Sequence, residues 1–122
     1  MPLVVLSLLR EMVRLDAQSL VLHVGALPYM VGPSDDRRDV GSRALPAVIV
    51  DHIAKQLLPR ELQVAFEEVG EIRYMLPTME ELPGQQFTVV GVIDRSLRVE
   101  VHRRLSEEAL VLPPAHSLWP AA

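Results

Sequence analysis

Two apolar stretches near the C-terminal end of the 122-residue sequence are separated by only three residues. Residues 86–93 are rich in valine, and residues 97–102 alternate strictly between apolar and polar side chains. The intervening Asp94, Arg95 and Ser96 have the length and composition of a hairpin turn. Strands joined by so short a connection pair antiparallel. The pattern therefore predicts a sheet that is largely antiparallel.

Four other segments are strand candidates, because their apolar residues alternate or form a short apolar run. Residues 19–24 place Leu20, Leu22 and Val24 on one face, and Gly25 ends the run. The other candidates are residues 27–31, 39–42 and 71–76. The predicted sheet therefore has five or six strands.

Three segments repeat their apolar residues with the period of a helix, namely residues 3–15, 46–58 and 59–69. The apolar stripe predicted for the third consists of Leu62, Ala65, Phe66 and Val69. Gly70 follows at the position where a left-handed glycine commonly ends a helix. This order of elements predicts one α+β domain over residues 1–105, with helices on one face of the sheet. Residues 106–122 are predicted to form a proline-rich tail.

The second predicted helix is apolar nearly all round. The residues expected to face the core are Val48, Ile49, Ile53 and Leu57. Val50 and Ala54 then lie on the opposite side, where an apolar surface is either covered by another element or forms an interface. These two residues are therefore candidate interaction residues, and self-association through this helix is expected.

Charge and composition restrict the partners. A net charge of −4 argues against nucleic acid as the main partner, because binding phosphates requires a basic face. Arg37, Arg38 and Arg43 nevertheless cluster in the sequence, either as a surface for an anionic or acidic partner or as an exposed turn. The apolar N-terminal run is too short to span a bilayer and lacks a basic leader, so a cytoplasmic protein without membrane insertion is expected.

No arrangement typical of catalysis or cofactor binding occurs in the sequence. The six glycines are dispersed, without a phosphate-binding loop, and the four histidines include no pair at helical i, i+4 spacing. His23 is out of phase with Leu20 and Leu22, so it is expected to face the other side of its strand. The adjacent carboxylates fit solvated surfaces better than a dyad in a cleft. We therefore expect no catalytic, metal-binding or cofactor-binding residue, and no enzyme.

The opening segment, DAQSLVLHVGALPYMV, resembles a motif of the twitching-motility retraction ATPases of type IV pili, G-A-S-D-L-H-L-S-A-G-x-P-P-M-x-R-x-D-G. Ser19, Pro28 and Met30 match it without gaps. Ala17, His23 and Gly25 match after a shift of one residue. Residues 45–76 resemble the two helices and strand that follow in this family, and residues 86–103 resemble its closing hairpin. Residues 105–112 resemble the linker toward the ATPase domain.

This resemblance implies the PAS-like N-terminal domain of a pilus or type II secretion ATPase, without the ATPase domain and its nucleotide-binding motifs. In the family, such domains pack against the ATPase core of a neighbouring subunit and help to build the hexamer. The sequence departs from the family where the arginine and Asp-Gly after the second strand are replaced by residues 31–35. It also has no arginine in residues 87–93, where the family has R-x-R-V-N.

Two functions remain open on these grounds. The first is a stand-alone, non-catalytic relative of the motor's N-terminal domain, acting by protein contact as an accessory or regulator of pilus or secretion machinery. Its partner would be a motor ATPase or a second copy of the chain. The alternative is a PAS-like module that senses a small molecule on its sheet.

Overall fold

The computed structural model describes residues 3–34 and 36–104, which form three helices and six strands. The helices are α1 (Leu3–Arg14), α2 (Ala47–Leu57) and α3 (Arg60–Val69). The strands are β1 (Ser19–His23), β2 (Tyr29–Val31), β3 (Arg37–Asp39), β4 (Glu71–Met75), β5 (Gln86–Ile93) and β6 (Leu97–Arg104). The predicted tail, residues 106–122, lies outside the described residues.

All six strands form one sheet in the order β3-β2-β1-β6-β5-β4, and every adjacent pair is antiparallel. The hairpin predicted at the C-terminal end is present, with Ile93 opposite Leu97. At the centre of the sheet β6 pairs with β1, so that Leu20 lies opposite Val101 and Leu22 opposite Val99. The predicted α+β fold with a largely antiparallel sheet and three helices is confirmed.

The helices cover one face of the sheet, and the core lies between them. Along β1 and β6 the residues that face this core are Leu20, Leu22, Val99 and Val101, each 1–2% exposed. The residues that α1 contributes to the same cluster are Val5, Leu6, Leu9 and Met12. The alternate residues of each strand lie on the other face, which we call the helix-free face.

The orientation predicted for α2 is only partly right, because Ile53 and Leu57 are buried as predicted but Val48 and Ile49 are not. Val50 is completely buried and Ala54 is 4% exposed, whereas Val48 is 70% exposed and Ile49 is 42% exposed. The buried residues Val50, Ile53, Ala54 and Leu57 follow i, i+3, i+4, i+7 spacing, which is the stripe that a core-facing helix requires. Val50 and Ala54 are therefore core residues, and they form no interaction surface.

Helix α3 ends as predicted at Gly70, which has φ +87° and donates its N–H to Phe66 O at 2.8 Å. Its apolar stripe is only partly buried, since Phe66 lies in the core but Val69 is 70% exposed. Strand β3 begins at Arg37, two residues before the predicted strand. The preceding turn is closed by Gly32 N–H donating to Asp36 O at 2.9 Å, so pairing with β2 resumes immediately afterwards.

Among the residues that the structure describes, no helix has both the length and the apolar character needed to cross a bilayer.

Candidate interaction site

The three clustered arginines are exposed, but the fold separates them. Arg37 and Arg38 are neighbours in β3, so their side chains point to opposite faces of the sheet. The Arg37 guanidinium lies 3.9 Å from the centre of the Tyr29 ring and 3.5 Å from the Asp39 carboxylate. Arg43 lies in the loop that leads to α2. Arg37 and Arg38 form an arginine-bearing edge at β3, with Arg37 on the helix-free face and Arg38 on the helix side.

Arg38 lines an open cleft on the helix side of this edge. The cleft has a volume of about 280 Å³, and its wall includes Asp16, Met30 and Asp36. This volume is just below the roughly 300–1,000 Å³ that ligand pockets usually have. Two carboxylates and one guanidinium make the cleft polar on one side, while Met30 gives it an apolar base.

A polar chain of three residues runs along β6 on the helix-free face. Arg98 Nε donates to Glu100 Oε2 at 2.6 Å, and His102 Nε2 donates to Glu100 Oε1 at 2.9 Å. The hydrogen bond from His102 and the charge of Arg98 hold the pKa of the Glu100 carboxyl below its ordinary value, although partial burial opposes this effect. The arrangement keeps a negative charge fixed between two nitrogen donors.

His23 lies on the same face at the end of β1, opposite Arg98 in the adjacent strand. Its Nε2 is 3.1 Å from Ser96 Oγ in the β5–β6 turn. This position agrees with the phase predicted from Leu20 and Leu22. Within residues 3–34 and 36–104, no three histidine, aspartate or glutamate side chains form a group suited to a metal ion.

A small groove separates α2 from α3. Its volume is about 40 Å³, far below the roughly 300–1,000 Å³ of ligand pockets. Leu58, Phe66 and Leu97 line it, and an ion pair of 3.0 Å between Lys55 Nζ and Asp51 Oδ2 lies at its rim. The groove is too small to hold an organic ligand.

Sequence reasoning found the arginines but missed the polar chain on β6. The signal was present, because Arg98, Glu100 and His102 occupy the alternate positions of a strictly alternating strand. Alternation places the three side chains on one face of the strand, but it does not predict that they bond to one another, which the structure shows.

No protein-family model matches the chain, and no curated protein matches it. Among solved structures, the crystal structure of the pilus retraction motor PilT with bound ADP matches 80% of this chain with a TM-score of 0.68 and 17% sequence identity. The matched part is 28% of the motor's chain. At this identity the likeness shows the fold and nothing finer. The chain therefore has a fold that is also found in part of a pilus retraction motor.

Proposed function

We propose that this chain is a non-catalytic, protein-binding relative of the N-terminal domain of pilus and secretion motor ATPases. In this role it acts as an accessory or regulator of such a motor. The observation that carries the proposal is the fold shared with part of the pilus retraction motor over 80% of the chain. The motif around Ser19, Pro28 and Met30 supports it from the sequence.

The arginine-bearing edge is the surface that we assign to the partner. β3 has only three residues, all charged and exposed, which makes it a poor template for aggregation. The Tyr29 ring under Arg37 restricts the guanidinium, and a guanidinium with fewer accessible conformations loses less entropy when it binds a carboxylate. An acidic patch on a motor subunit is the partner chemistry that fits this edge.

A binding experiment with purified proteins tests this function. The chain is immobilised, and a pilus retraction ATPase or a type II secretion ATPase from the same cell is passed over it at low and moderate ionic strength. We expect binding to at least one motor, with an affinity that falls as salt is added because the contact is ionic.

Two charge reversals at the edge, Arg37→Glu with Arg38→Glu, should weaken that binding at least tenfold, which corresponds to about 1.4 kcal/mol. Arg60→Glu is the matched control, because Arg60 is an exposed arginine at the start of α3, away from the edge. Absence of binding to every motor ATPase of the cell would contradict the proposal.

Small-molecule sensing is the second candidate, and the cleft beside Arg38 is the observation that favours it. A ligand that binds only the native state raises the melting temperature. Nucleotides and common metabolites should therefore be screened by thermal shift, with Arg38→Ala as the variant that removes the effect. A flat response would exclude this candidate for the compounds tested.

A further inference from the structure

Strand β4 forms one edge of the sheet, and the direction of its outward main-chain groups follows from the hydrogen bonds on its inner side. Ile93 N–H donates to Gly70 O at 2.7 Å, and Leu76 N–H donates to Phe87 O at 2.9 Å. Along an antiparallel strand, the main-chain N–H and C=O groups of successive residues point alternately toward one neighbouring strand and toward the opposite side. The main-chain groups of Glu71 and Arg73 therefore point away from β5. In the described part of the chain, no strand pairs with this outer side.

Helix α3 lies next to this edge, with part of its apolar stripe still uncovered. Phe66 packs on the sheet, while Gln63 and Glu67 line the groove toward α2. At 100° per residue, the side of α3 turned away from that groove carries Leu62, Ala65 and Val69. Leu62 and Ala65 are half-buried and Val69 is 70% exposed. The Leu62, Ala65 and Val69 strip of α3 thus lies beside the outward main-chain groups of β4.

The charges on β4 favour one register for pairing this edge with the same edge of a second copy. A two-fold axis normal to the sheet pairs β4 with itself antiparallel and keeps the helices of both copies on one face. With the axis at Ile72, Glu71 of each copy lies opposite Arg73 of the other, and both residues are at outward-bonding positions. Opposite charges across a strand pair are favourable.

The other symmetric registers are poorer. An axis at Arg73 would place two guanidinium groups opposite each other, and an axis at Glu71 would do the same with two carboxylates, which is unfavourable. An axis at Tyr74 would pair Glu71 with Pro77, which has no N–H to donate. Of the registers compared, the one centred on Ile72 both places opposite charges across the strand pair and gives the outward main-chain groups of Glu71 and Arg73 possible hydrogen-bond partners.

We propose that the β4 edge and the Leu62, Ala65 and Val69 strip of α3 form a symmetric interface between two copies of this chain. The occupant is a second copy because the edge is complementary in charge to itself. In this dimer the two sheets join into one, and the two α3 helices bring their uncovered apolar strips together above the junction. This surface is distinct from the arginine-bearing edge, so the dimer does not depend on the proposed function.

Sedimentation velocity and light scattering test the interface. The wild-type chain should have twice its 13.6 kDa mass at high concentration and dissociate on dilution. Arg73→Glu should give a monomer because it places carboxylates opposite each other, and Glu71→Arg should give a monomer for the converse reason. The double variant Glu71→Arg/Arg73→Glu restores the opposite charges and should restore the dimer.

The apolar part of the interface has a matched control. Val69→Lys should abolish the dimer, whereas Val48→Lys should leave it intact, because both valines are 70% exposed but only Val69 lies beside β4. Circular dichroism verifies that each variant is folded. A wild-type monomer at the highest concentration, or a dimer that survives both Arg73→Glu and Val69→Lys, would overturn the proposal. Failure of motor binding with the dimer retained would count only against the proposed function.

Discussion

The Arg103 guanidinium, near the end of β6, lies 2.8 Å from the Asp16 carboxylate in the turn between α1 and β1. Its other terminal nitrogen donates to Ala17 O at 3.0 Å and to Met12 O at 3.2 Å. Arg103 is only 8% exposed, and Asp16 has a left-handed φ of +55°. One side chain thus satisfies the carbonyl groups where α1 ends and holds the turn that leads into β1.

Replacing Arg103 with methionine should destabilise the domain by about 3 kcal/mol, because the hydrogen bonds from its charged guanidinium to Asp16, Ala17 O and Met12 O are lost, although Met12 O keeps the N–H of Ala17 at 2.8 Å. Asp16→Asn should cost less than about 1 kcal/mol, since its side chain is 65% exposed and asparagine tolerates the left-handed conformation. Urea unfolding followed by circular dichroism measures both values. Equal stability of the two variants would show that the carbonyl contacts contribute little.

The two sides of α2 should differ sharply in their response to truncation. Val50→Ala removes two methyl groups from a fully buried site and should cost about 2 kcal/mol of unfolding free energy. Val48→Ala, at a site that is 70% exposed, should change stability by no more than about 0.5 kcal/mol. The difference in urea midpoint between the two variants measures the effect. The reverse order would restore the orientation that the sequence predicted.

The ring of Phe66 leaves no room for a side chain at Gly91. A Cβ at this position would lie 2.7 Å from Phe66 Cζ and 3.1 Å from Ile72 Cγ2. Gly91→Ala should therefore destabilise the domain by about 1–3 kcal/mol through overpacking.

The double variant Gly91→Ala/Phe66→Leu tests that mechanism, because the shorter side chain makes room for the added methyl group. Its loss of stability should be smaller than the sum of the two single losses. Additive losses in a double-mutant cycle would show that the strain comes from elsewhere than the Phe66 ring.

Acid should weaken the fold through Glu100. Its carboxyl pKa is lowered from 4.5 in the folded chain, by the His102 hydrogen bond first and by Arg98 as well. A carboxylate with a lowered folded pKa stabilises the fold above its unfolded pKa, and this contribution is lost as the pH falls through the folded value. We therefore expect stability to decline progressively below about pH 5.

Glu100→Gln should lower stability at neutral pH and flatten that acid decline, as measured by urea unfolding across the pH range. Glu68→Gln, on the exposed side of α3, is the control and should leave the decline unchanged. A decline as steep in Glu100→Gln as in the wild type would assign the acid sensitivity to other groups.

The sequence predicted the sheet and the helices because alternation and helical period are local properties. Residues 86–104 carried this signal most clearly, and the structure has the predicted hairpin there. The error in α2 has a physical cause. When a helix is apolar on both sides, the period alone does not decide which side packs, and Val50 and Ala54 face inward because of the contacts that α2 makes with β6 and α1.

The candidate site was less predictable, since it depends on register. Arg37 and Arg38 are adjacent in sequence yet lie on opposite faces, and nothing local places Arg37 over Tyr29. The bond between Arg103 and Asp16 joins residues from the two ends of the domain, and no spacing rule relates them. The strip on α3 appeared in the sequence as an ordinary core stripe, and only the position of α3 beside β4 shows that part of it remains uncovered.

The central pair of strands, β1 and β6, joins the first and the last of the six described strands. The ribosome must therefore synthesise the chain through residue 104 before β1 and β6 can pair. Until then, the edge of β1 that pairs with β6 in the folded domain has no partner strand. Pairings between such distant segments are slow because a long loop must be ordered first. The nascent domain consequently exposes its future core for most of its own synthesis, when binding by chaperones would protect it most.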